Sequence, residues 1–376
     1  DHAWRQHPED KPVAFKARAD NVREQIRLIL TAWGMSDDLA ETTAHVMTET
    51  DLIGVDSHGI SMLMTYERKR GENRFDFTAK PTIVRENAVA ALMDAGGNLG
   101  NPVSVAAMQL AIKKARDNAV GVVSVRNSHH FGAAGYYAKL AADEGLVGWV
   151  ASAARGITVV PTRAARPVLG TNPLAFAAPA GRNRPFVLDM ATSTVAVGKV
   201  KVYGFNNKPI PEGWVTDGEG RPMTDANAAY DLLIESDTGG LTPVGGKPEL
   251  SSHKGYGLGM MAHILGGVLS GGSFTPIHKP KEGPNDPENI GHFFMAMAPD
   301  FFRDEGQFES DLDDVIDFLH DTPPVDPDKP VLVAGDPEAA TREDRLQNGV
   351  PIPDMLDEQL RDVCRNANVP YVLDRD

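Results

Sequence analysis

The first seventy residues carry their apolar side chains at helical spacing. Between positions 22 and 33 apolar residues recur at intervals of three and four, and Gly34 closes the run as a C-terminal cap does. Ser36 offers an N-cap to a second helix that extends to about Ile53, and a third helix is predicted over 61–70. This part of the chain is therefore predicted to be helical.

From about Pro81 the pattern changes to short β-rich runs that Gly, Asn and Pro interrupt. A helix over 104–118 is followed by a strand over 120–126, a helix over 132–143 and a strand over 146–152. This order predicts a βαβ unit whose two strands are parallel and joined by a right-handed crossover. The turn after the first strand then lies at a strand's carboxyl end, where ligands of open α/β sheets bind.

The rest of the chain mixes both kinds of pattern. The remaining predictions are strands over 174–178, 185–190 and 292–298, surface excursions over 208–222 and 239–248, a glycine-rich helix from Lys254, and tail helices near 309–320 and 354–367 around a Pro-rich linker at 322–330. The mixture indicates the α/β class, in the mixed α+β sense. A length of 376 residues favours two domains, or one with a large insertion.

Composition excludes several classes of function. Lys and Arg number 37 against 52 Asp and Glu, which gives a formal net charge of −15. Because the sequence also lacks a basic stripe, we expect no nucleic-acid partner. Cys364 is the only cysteine, which rules out an intrachain disulfide and a cysteine-based metal site. Because no apolar leader or bilayer-length run is present, we expect a soluble cytoplasmic protein with no membrane partner.

Two adjacent imidazoles, His129 and His130, follow the strand predicted over 120–126. Imidazole exchanges a proton near neutral pH, and a helix N-terminus beside it favours the neutral ring that a general base needs. The alternative is that the paired histidines only satisfy backbone groups of the turn. His58 is the best candidate for a companion, because Gly59 lets the backbone turn there and Asp56 or Ser57 could orient the ring; it could equally be part of a helix cap.

Two further segments have the small residues that close backbone approach by a ligand requires. One is the turn at 170–176, and the other surrounds Asp189, which ends a predicted buried strand. A buried carboxylate needs a partner, so Asp189 either satisfies local amides or polarises a catalytic histidine.

The stretch at 253–259 places glycines and Lys254 at the start of a helix, which physically resembles a phosphate site. Its spacing matches neither the Rossmann fingerprint nor the P-loop, so any nucleotide site is built differently. The alternative is that the glycines allow tight helix packing, and we expect both roles. Although the chain has 11 histidines, none shows the spacing of zinc enzymes beside a carboxylate, so we expect no metal; a metallohydrolase is the last alternative.

These segments together resemble the malate/L-lactate dehydrogenase family, which also contains sulfolactate dehydrogenase, ureidoglycolate dehydrogenase and the Δ1-piperideine-2-carboxylate reductases. The matching motifs, in family order, are DSHGI at 56–60, NSHHFGAAGYYA at 127–138, GTNPLAFAAP at 170–179, LDMATS at 188–193, KGYGLGMM at 254–261 and NIGHFFMA at 289–296. So many motifs in one order make chance an improbable explanation.

The resemblance implies a homodimeric oxidoreductase that uses NAD or NADP and has a cofactor domain unlike the Rossmann fold. That domain, a mixed sheet flanked by helices, is expected over 81–299, and a mainly helical domain over 1–80 and 300–376. The implied reaction is hydride transfer between nicotinamide and C2 of a small 2-hydroxy or 2-oxo acid. The alternatives are reduction of a cyclic imino acid such as Δ1-piperideine-2-carboxylate, and a non-catalytic binding protein with the same fold.

The family's roles carry over to individual residues of this chain. His130 matches the acid/base histidine and His129 a variable position, while His58 and Asp189 position the substrate or the ring. The implied cofactor residues are Ser152, Ala154, Asp189, Met190, Ala191, Lys254, Gly255, Pro287, Glu288 and Asn289, with Ser152 and Ala154 as alternative matches to one family serine. The implied substrate residues are Ser57, His58, Thr171 and Asn172.

One position departs from the family pattern. Many members have an arginine four residues after the DSHG histidine, where it can clamp a substrate carboxylate, and this chain has Met62. We expect the clamp to come from Arg68, Arg155 or Arg163, or the substrate head group to differ. Met62 is also the feature that motivates the non-catalytic alternative.

Overall fold

The structure is a computed structural model that describes residues 13–283 and 285–374. The strands, in chain order, are β1 Val13–Ala17, β2 Thr82–Glu86, β3 Ala90–Asp94, β4 Val120–Ser128, β5 Val147–Ser152, β6 Leu174–Ala178, β7 Phe186–Met190, β8 Val215–Thr216, β9 Pro222–Met223, β10 Gly240–Leu241, β11 Ile290–Met297 and β12 Val350–Pro353.

The α-helices are α1 Ala19–Ala32, α2 Asp37–Leu52, α3 Leu63–Gly71, α4 Gly100–Asn118, α5 Ala134–Asp143, α6 Val197–Phe205, α7 Ala226–Glu235, α8 Ser252–His263, α9 Thr275–His278, α10 Gln307–His320, α11 Asp336–Asn348 and α12 Asp354–Ala367. The helices predicted from apolar spacing in the first seventy residues and in the tail are confirmed, with α3 preceded by a 3-10 turn, Ile60–Met62. Helix α11 and strands β1 and β12 were not predicted.

A mixed sheet of seven strands, in the order β2-β3-β4-β11-β5-β6-β7, is the centre of the fold. Strand β11 pairs antiparallel with both β4 and β5, so those two strands point the same way, as predicted. They are not neighbours, however, because β11 lies between them. The simple βαβ unit expected from the sequence is therefore corrected to one whose strands are separated by a strand from much later in the chain.

Helices α4 and α5 pack on this sheet through small residues. The backbone comes so close that a Cβ at Gly121 would lie 2.0 Å from the carbonyl oxygen of Ala111 in α4. A Cβ at Gly148 would lie 2.3 Å from the carbonyl oxygen of Ala138 in α5. Close packing of both helices fixes the sheet whose strand β4 leads into the paired histidines.

A second core joins the two ends of the chain. Helices α1, α2 and α3 share buried apolar side chains with α12, and β1 pairs antiparallel with β12 beside them. Ile26 and Leu360 are both fully buried in this cluster. The N-terminal and C-terminal segments thus fold as one helical unit, while the domain boundaries themselves stay a prediction.

The stretches 208–222 and 239–248 were predicted to be surface excursions, and the structure corrects this. They supply β8, β9 and β10, which form a small antiparallel sheet. That sheet packs with α6 and α7 around a third core that includes Val200, Val215 and Leu241. In residues 13–283 and 285–374 there is no helix with the length and apolarity that crossing a membrane requires.

The contact between β5 and α5 gives a test of the fold. Gly148→Ala should lower the free energy of unfolding by about 1–3 kcal/mol, because the new methyl group meets backbone atoms that cannot move away. Urea denaturation measures the change. Gly71→Ala is the matched control, because nothing lies within 4 Å of a Cβ there; a Gly148→Ala variant as stable as this control would contradict the packing.

Candidate active site

The paired histidines lie in the turn between β4 and α5, and their environments differ sharply. His129 is fully buried, whereas the His130 side chain keeps part of its surface exposed. The turn is supported by the start of α4, where Gly100 N donates to the carbonyl oxygen of His130 at 3.0 Å. Gly100 has no room for a side chain, because a Cβ would lie 2.5 Å from the carbonyl oxygen of His129.

The His130 ring is held by a tyrosine that sequence reasoning missed. Tyr66 in α3 is almost fully buried, and its hydroxyl lies 2.8 Å from Nδ1 of His130. Burial, reinforced by the charges of neighbouring His58 and Lys69, holds the pKa of His130 well below its usual range. The ring is therefore neutral at neutral pH. Tyr66 lies on α3, only eight positions after His58. This short separation in sequence was the signal that could have pointed to it.

His58 lies next to His130, as predicted. The two ring centroids are 5.2 Å apart with an angle of 36° between the rings. Ser57 Oγ is 2.8 Å from Nδ1 of His58, and burial lowers the pKa of this imidazole too. Gly59 is required at the turn, because a Cβ there would lie 1.8 Å from a carboxylate oxygen of Asp51.

His129 belongs to a buried ion-pair cluster. Its Nδ1 is 3.3 Å from Glu288, whose two carboxylate oxygens lie 2.7 and 2.8 Å from Nζ of Lys69 in α3. Burial alone would raise the pKa of Glu288, but the His129 hydrogen bond and the Lys69 charge bring it down to about 2. The carboxylate of Glu288, a residue expected at the cofactor, thus binds other side chains of the protein. Sequence reasoning did not identify Lys69.

A fourth histidine, His292 on β11, ties the ends of the two flanking strands together. Its Nε2 lies 2.9 Å from Ser128 Oγ and 3.2 Å from the carbonyl oxygen of His129, and its Nδ1 lies 2.8 Å from Ser152 Oγ. Because a carbonyl oxygen only accepts, Nε2 carries the proton and Ser152 donates to Nδ1. Phe131 stacks on the ring at 4.5 Å.

This network includes one expected cofactor residue. Ser152 is 3% exposed and its hydroxyl is used by His292, so it supports the site from beneath. Ala154, the alternative match, is partly exposed. Asn289, also expected at the cofactor, bonds its side-chain oxygen to Asn127 N at 2.7 Å, while the exposed Pro287 stays a prediction.

Asn172 was expected to contact substrate, and the structure places it elsewhere. The residue is fully buried, its side-chain oxygen accepts from Ala154 N at 3.0 Å, and its amide nitrogen donates to the Gly259 carbonyl at 3.0 Å. Asn172 therefore braces the turn after β5 against α8. Its neighbour Thr171 is partly exposed and stays a predicted substrate residue.

Asp189 ends β7, which is an edge strand rather than the buried strand predicted, and its side chain is exposed. Its carboxylate accepts a hydrogen bond from Gly135 N at 2.7 Å, at the positive end of α5. This contact supports the structural alternative, in which Asp189 satisfies local amides. Met190 and Ala191 follow it with partly exposed side chains.

In the glycine-rich helix α8 one of the two predicted roles, close packing, is observed, and the phosphate role stays a prediction. Gly255 is a packing residue, because a Cβ there would lie 2.3 Å from the carbonyl oxygen of Val244. Gly257, in contrast, faces open space, and Lys254 in the first turn is exposed. Lys254 forms no ion pair with any residue that the structure describes.

The arginine candidates for the anion clamp differ in their availability. Met62 itself packs against the helical core. Arg68 pairs with Glu72 at 3.0 Å, and Arg155 pairs with Glu282 and donates to the Glu288 carbonyl. Arg163 is exposed and makes no ion pair within 13–283 and 285–374. Over the same residues, no three His, Cys, Asp or Glu side chains are grouped so as to hold a metal ion.

Comparison with known proteins identifies the family of this chain. The family model described as malate/L-lactate dehydrogenase matches residues 17–361. The chain belongs to this family. A malate dehydrogenase of Pyrococcus horikoshii is 35% identical over 363 residues, which are 96% of this chain and 95% of that protein. The family is one of oxidoreductases, and the chain is an oxidoreductase enzyme.

Solved structures show the same fold. Malate dehydrogenase from Entamoeba histolytica superposes with a TM-score of 0.88 at 31% identity, covering 94% of this chain and 98% of that one. Δ1-Piperideine-2-carboxylate reductase from Pseudomonas syringae has a TM-score of 0.79 at 28% identity, covering 93% of this chain and 99% of that one. Both a dehydrogenase and an imine reductase are thus similar to the enzyme.

The buried His292 gives a test of the network by pH. Burial lowers its pKa from 6.5 to about 3, so this group contributes stability above pH 6.5 that is lost as the pH falls towards 3. In that window it should reduce the free energy of unfolding by about 1.4 kcal/mol per pH unit.

The slope is measured by urea denaturation across the window for the enzyme and for His292→Gln. We expect the variant to be less stable at neutral pH and to lose stability less steeply on acidification. Parallel curves for the two proteins would contradict the assignment.

Proposed function

We propose that the enzyme transfers a hydride between a nicotinamide cofactor, NAD or NADP, and C2 of a small 2-hydroxy or 2-oxo acid. The observation that carries this proposal is the pair of neutral imidazoles, His58 and His130, 5.2 Å apart. In each ring Nδ1 is occupied, by Ser57 or by Tyr66, and Nε2 has no hydrogen-bond partner among the described residues. Two imidazole nitrogens are therefore available to one small polar substrate.

His130 fits the acid/base role, because Tyr66 serves both of its protonation states. In the neutral ring that acts as the base, Nδ1 carries the proton and donates a hydrogen bond to the Tyr66 oxygen. The same hydrogen bond is kept when Nε2 of His130 takes the hydroxyl proton during oxidation. In the reverse direction the same Nε2 returns the proton to the substrate oxygen. His58, held by Ser57, positions the substrate on the other side, where Thr171 is a further proposed contact.

The described residues fit a nicotinamide cofactor, which when bound accepts or supplies the hydride. Lys254 is an exposed cation at a helix start and suits a phosphate, and the Asp189 carboxylate suits a ribose hydroxyl. A Cβ at Gly156 or Gly257 would meet nothing within 4 Å, so the backbone is open to a ligand at both places. Ala154, Met190 and Ala191 are the other residues we propose to line it.

We further propose that this cofactor domain differs from the Rossmann fold and that the enzyme is a cytoplasmic homodimer. The central antiparallel β11 and the lack of the glycine fingerprint support the first point. Exposed apolar side chains support the second, among them Phe301, Phe302 and Phe318, which are 73%, 61% and 75% exposed. The resemblance to the family implies the same assembly.

Reduction of a cyclic imino acid is the second candidate, favoured by the structural similarity to Δ1-piperideine-2-carboxylate reductase. In that reaction His130 would supply a proton to the product. A panel of 2-oxo acids and cyclic imino acids, assayed with NADH and NADPH, separates the two candidates. Nicotinamide fluorescence measures cofactor binding, and an enzyme that binds neither NADH nor NADPH would exclude both candidates.

The acid/base role predicts a large effect of His130→Gln. We expect kcat to fall by about 10²–10⁴-fold, because the proton acceptor is lost, with the dissociation constant for the reduced cofactor unchanged. His320→Gln is the matched control, since His320 lies on α10 and pairs with Asp336 at the surface. Near-normal turnover by His130→Gln would remove His130 from the mechanism.

The low pKa of His130 predicts the pH profile of oxidation. Because the ring stays neutral well below pH 6.5, kcat/KM should remain constant as the pH falls through 6.5 and decline only at lower pH. Initial rates with a hydroxy-acid substrate, measured at constant ionic strength, give the profile. An acid limb centred at or above pH 6.5 would show that another group, or a solvated imidazole, controls the rate.

A further inference from the structure

A buried arginine of the C-terminal segment holds the turn that carries His58. Arg345 in α11 is 2% exposed, and its Nη1 donates to the carbonyl oxygen of Asp51 at 2.5 Å. The same guanidinium pairs with the Asp56 carboxylate, through Nη1 to Oδ1 and through Nη2 to Oδ2 at 3.4 Å. One side chain thus binds both the end of α2 and the residue two positions before His58.

A second set of contacts closes the other side of this turn. Asp51 accepts a hydrogen bond from Ile60 N at 2.8 Å, and Ser61 Oγ donates to the Asp56 carbonyl. Gly59 lies flush against the Asp51 carboxylate. The turn is therefore clamped at Asp51, Asp56 and Ile60, and His58 lies between the clamped positions.

Among these contacts only those made by Arg345 reach the turn from a distant part of the chain. The guanidinium is planar and always charged, so its fork orients a carboxylate in a way that a flexible cation does not. One turn earlier in α11, Arg342 pairs with Glu49 of α2 at 2.8 and 3.0 Å. Arg342 fastens the same two helices together without touching the turn.

We infer that Arg345 is a positioning residue for catalysis, which fixes Asp56 and thereby the placement of the Ser57–His58 pair against His130. The inference rests on the proposed function, because it gives His58 a substrate to position. A displacement of about 1 Å at a reacting group lowers a rate by about 10²-fold, so the clamp need only prevent a small movement. Helix α11, from the C-terminal segment, thus completes an active site whose imidazoles come from residues 58 and 130.

The test compares Arg345→Met with Arg342→Met, which removes a charge of the same helix but leaves the turn clamped. We expect Arg345→Met to lower kcat by about 10–100-fold, because His58 is misplaced, and to leave the dissociation constant for the reduced cofactor within about twofold of the wild-type value. Arg342→Met should keep kcat within about twofold even where it lowers the melting temperature. Arg345→Lys should restore part of the rate.

A second readout separates positioning from general destabilisation. The ring resonances of His58, assigned by comparison with His58→Gln, give its pKa by NMR titration of the folded enzyme. Burial keeps this pKa below 6.5, with His130 and Ser57 as its neighbours. In Arg345→Met the loosened turn admits water, so the pKa should rise towards 6.5, and in Arg342→Met it should not move.

Two further variants cover the remaining outcomes. If Arg345→Met does not fold, Asp56→Asn breaks the same pair at a half-exposed carboxylate and should show the same changes to a smaller degree. The double variant Arg345→Met/Asp56→Asn removes both charges, so a pKa rise that persists in it reflects loss of the clamp rather than the unpaired Asp56 charge.

The failures of the two proposals are distinguishable. Wild-type kcat and His58 pKa in folded Arg345→Met, or in Asp56→Asn where the first does not fold, would overturn the positioning role. A wild-type enzyme that turns over no 2-oxo or imino acid would overturn the proposed function, while the NMR titration would still report whether Arg345 places His58.

Discussion

The insertion of β11 between β4 and β5 is the constraint on which the site depends. Because β11 pairs antiparallel with both neighbours, the carboxyl ends of β4 and β5 lie on either side of its amino end. His292 occupies that point and bonds to Ser128, Ser152 and the His129 backbone at once. Without the His292 ring, the histidine turn would lose its hydrogen bonds at Ser128 and at the His129 carbonyl.

Burial then decides the chemistry of the imidazoles. His58, His129, His130 and His292 all have pKa values lowered by desolvation, so a cluster that could repel itself as four cations is neutral. One full charge is retained nearby, on Glu288, and Lys69 compensates it at 2.7 Å. Charge is thus confined to a paired site beside His130, and in the proposed reaction a neutral His130 ring exchanges the proton with the substrate oxygen.

The two ends of the chain contribute through packing rather than through reacting groups. Helix α3 brings Tyr66 and Lys69 against the histidine turn, and α11 brings Arg345 against the turn that carries His58. Helix α3 contributes to the core that N-terminal and C-terminal segments share, and α11 is joined to α2 of that core by the Arg342–Glu49 pair. The helical unit therefore holds one half of the site against the half that the central sheet supplies.

Apolar periodicity predicted most helices and the strands of the central sheet, because side-chain spacing is a local property. It failed where structure depends on distant partners: the short strand 215–216 pairs with 222–223 and with the more distant 240–241, and β1 requires β12. The motifs also identified His58 and His130 as companions. Asn172 and Ser152 were expected at the ligand, yet both are buried and bonded to protein groups; a polar residue beside a site looks the same in sequence whether its side chain faces the ligand or the core.

The sequence by itself determined the helical and β-rich segments, the exclusion of an intrachain disulfide, and the histidine motifs that carry the chemistry. Only the tertiary structure decided which groups contact His130, His129 and His292, since Tyr66, Glu288 and Ser152 reach these rings from elsewhere in the chain. It also decided that Arg345 anchors the turn of His58 through Asp56, a residue 289 positions earlier in the chain. Hydrogen bonds and burial act between residues that are close in space, and linear order does not encode that closeness.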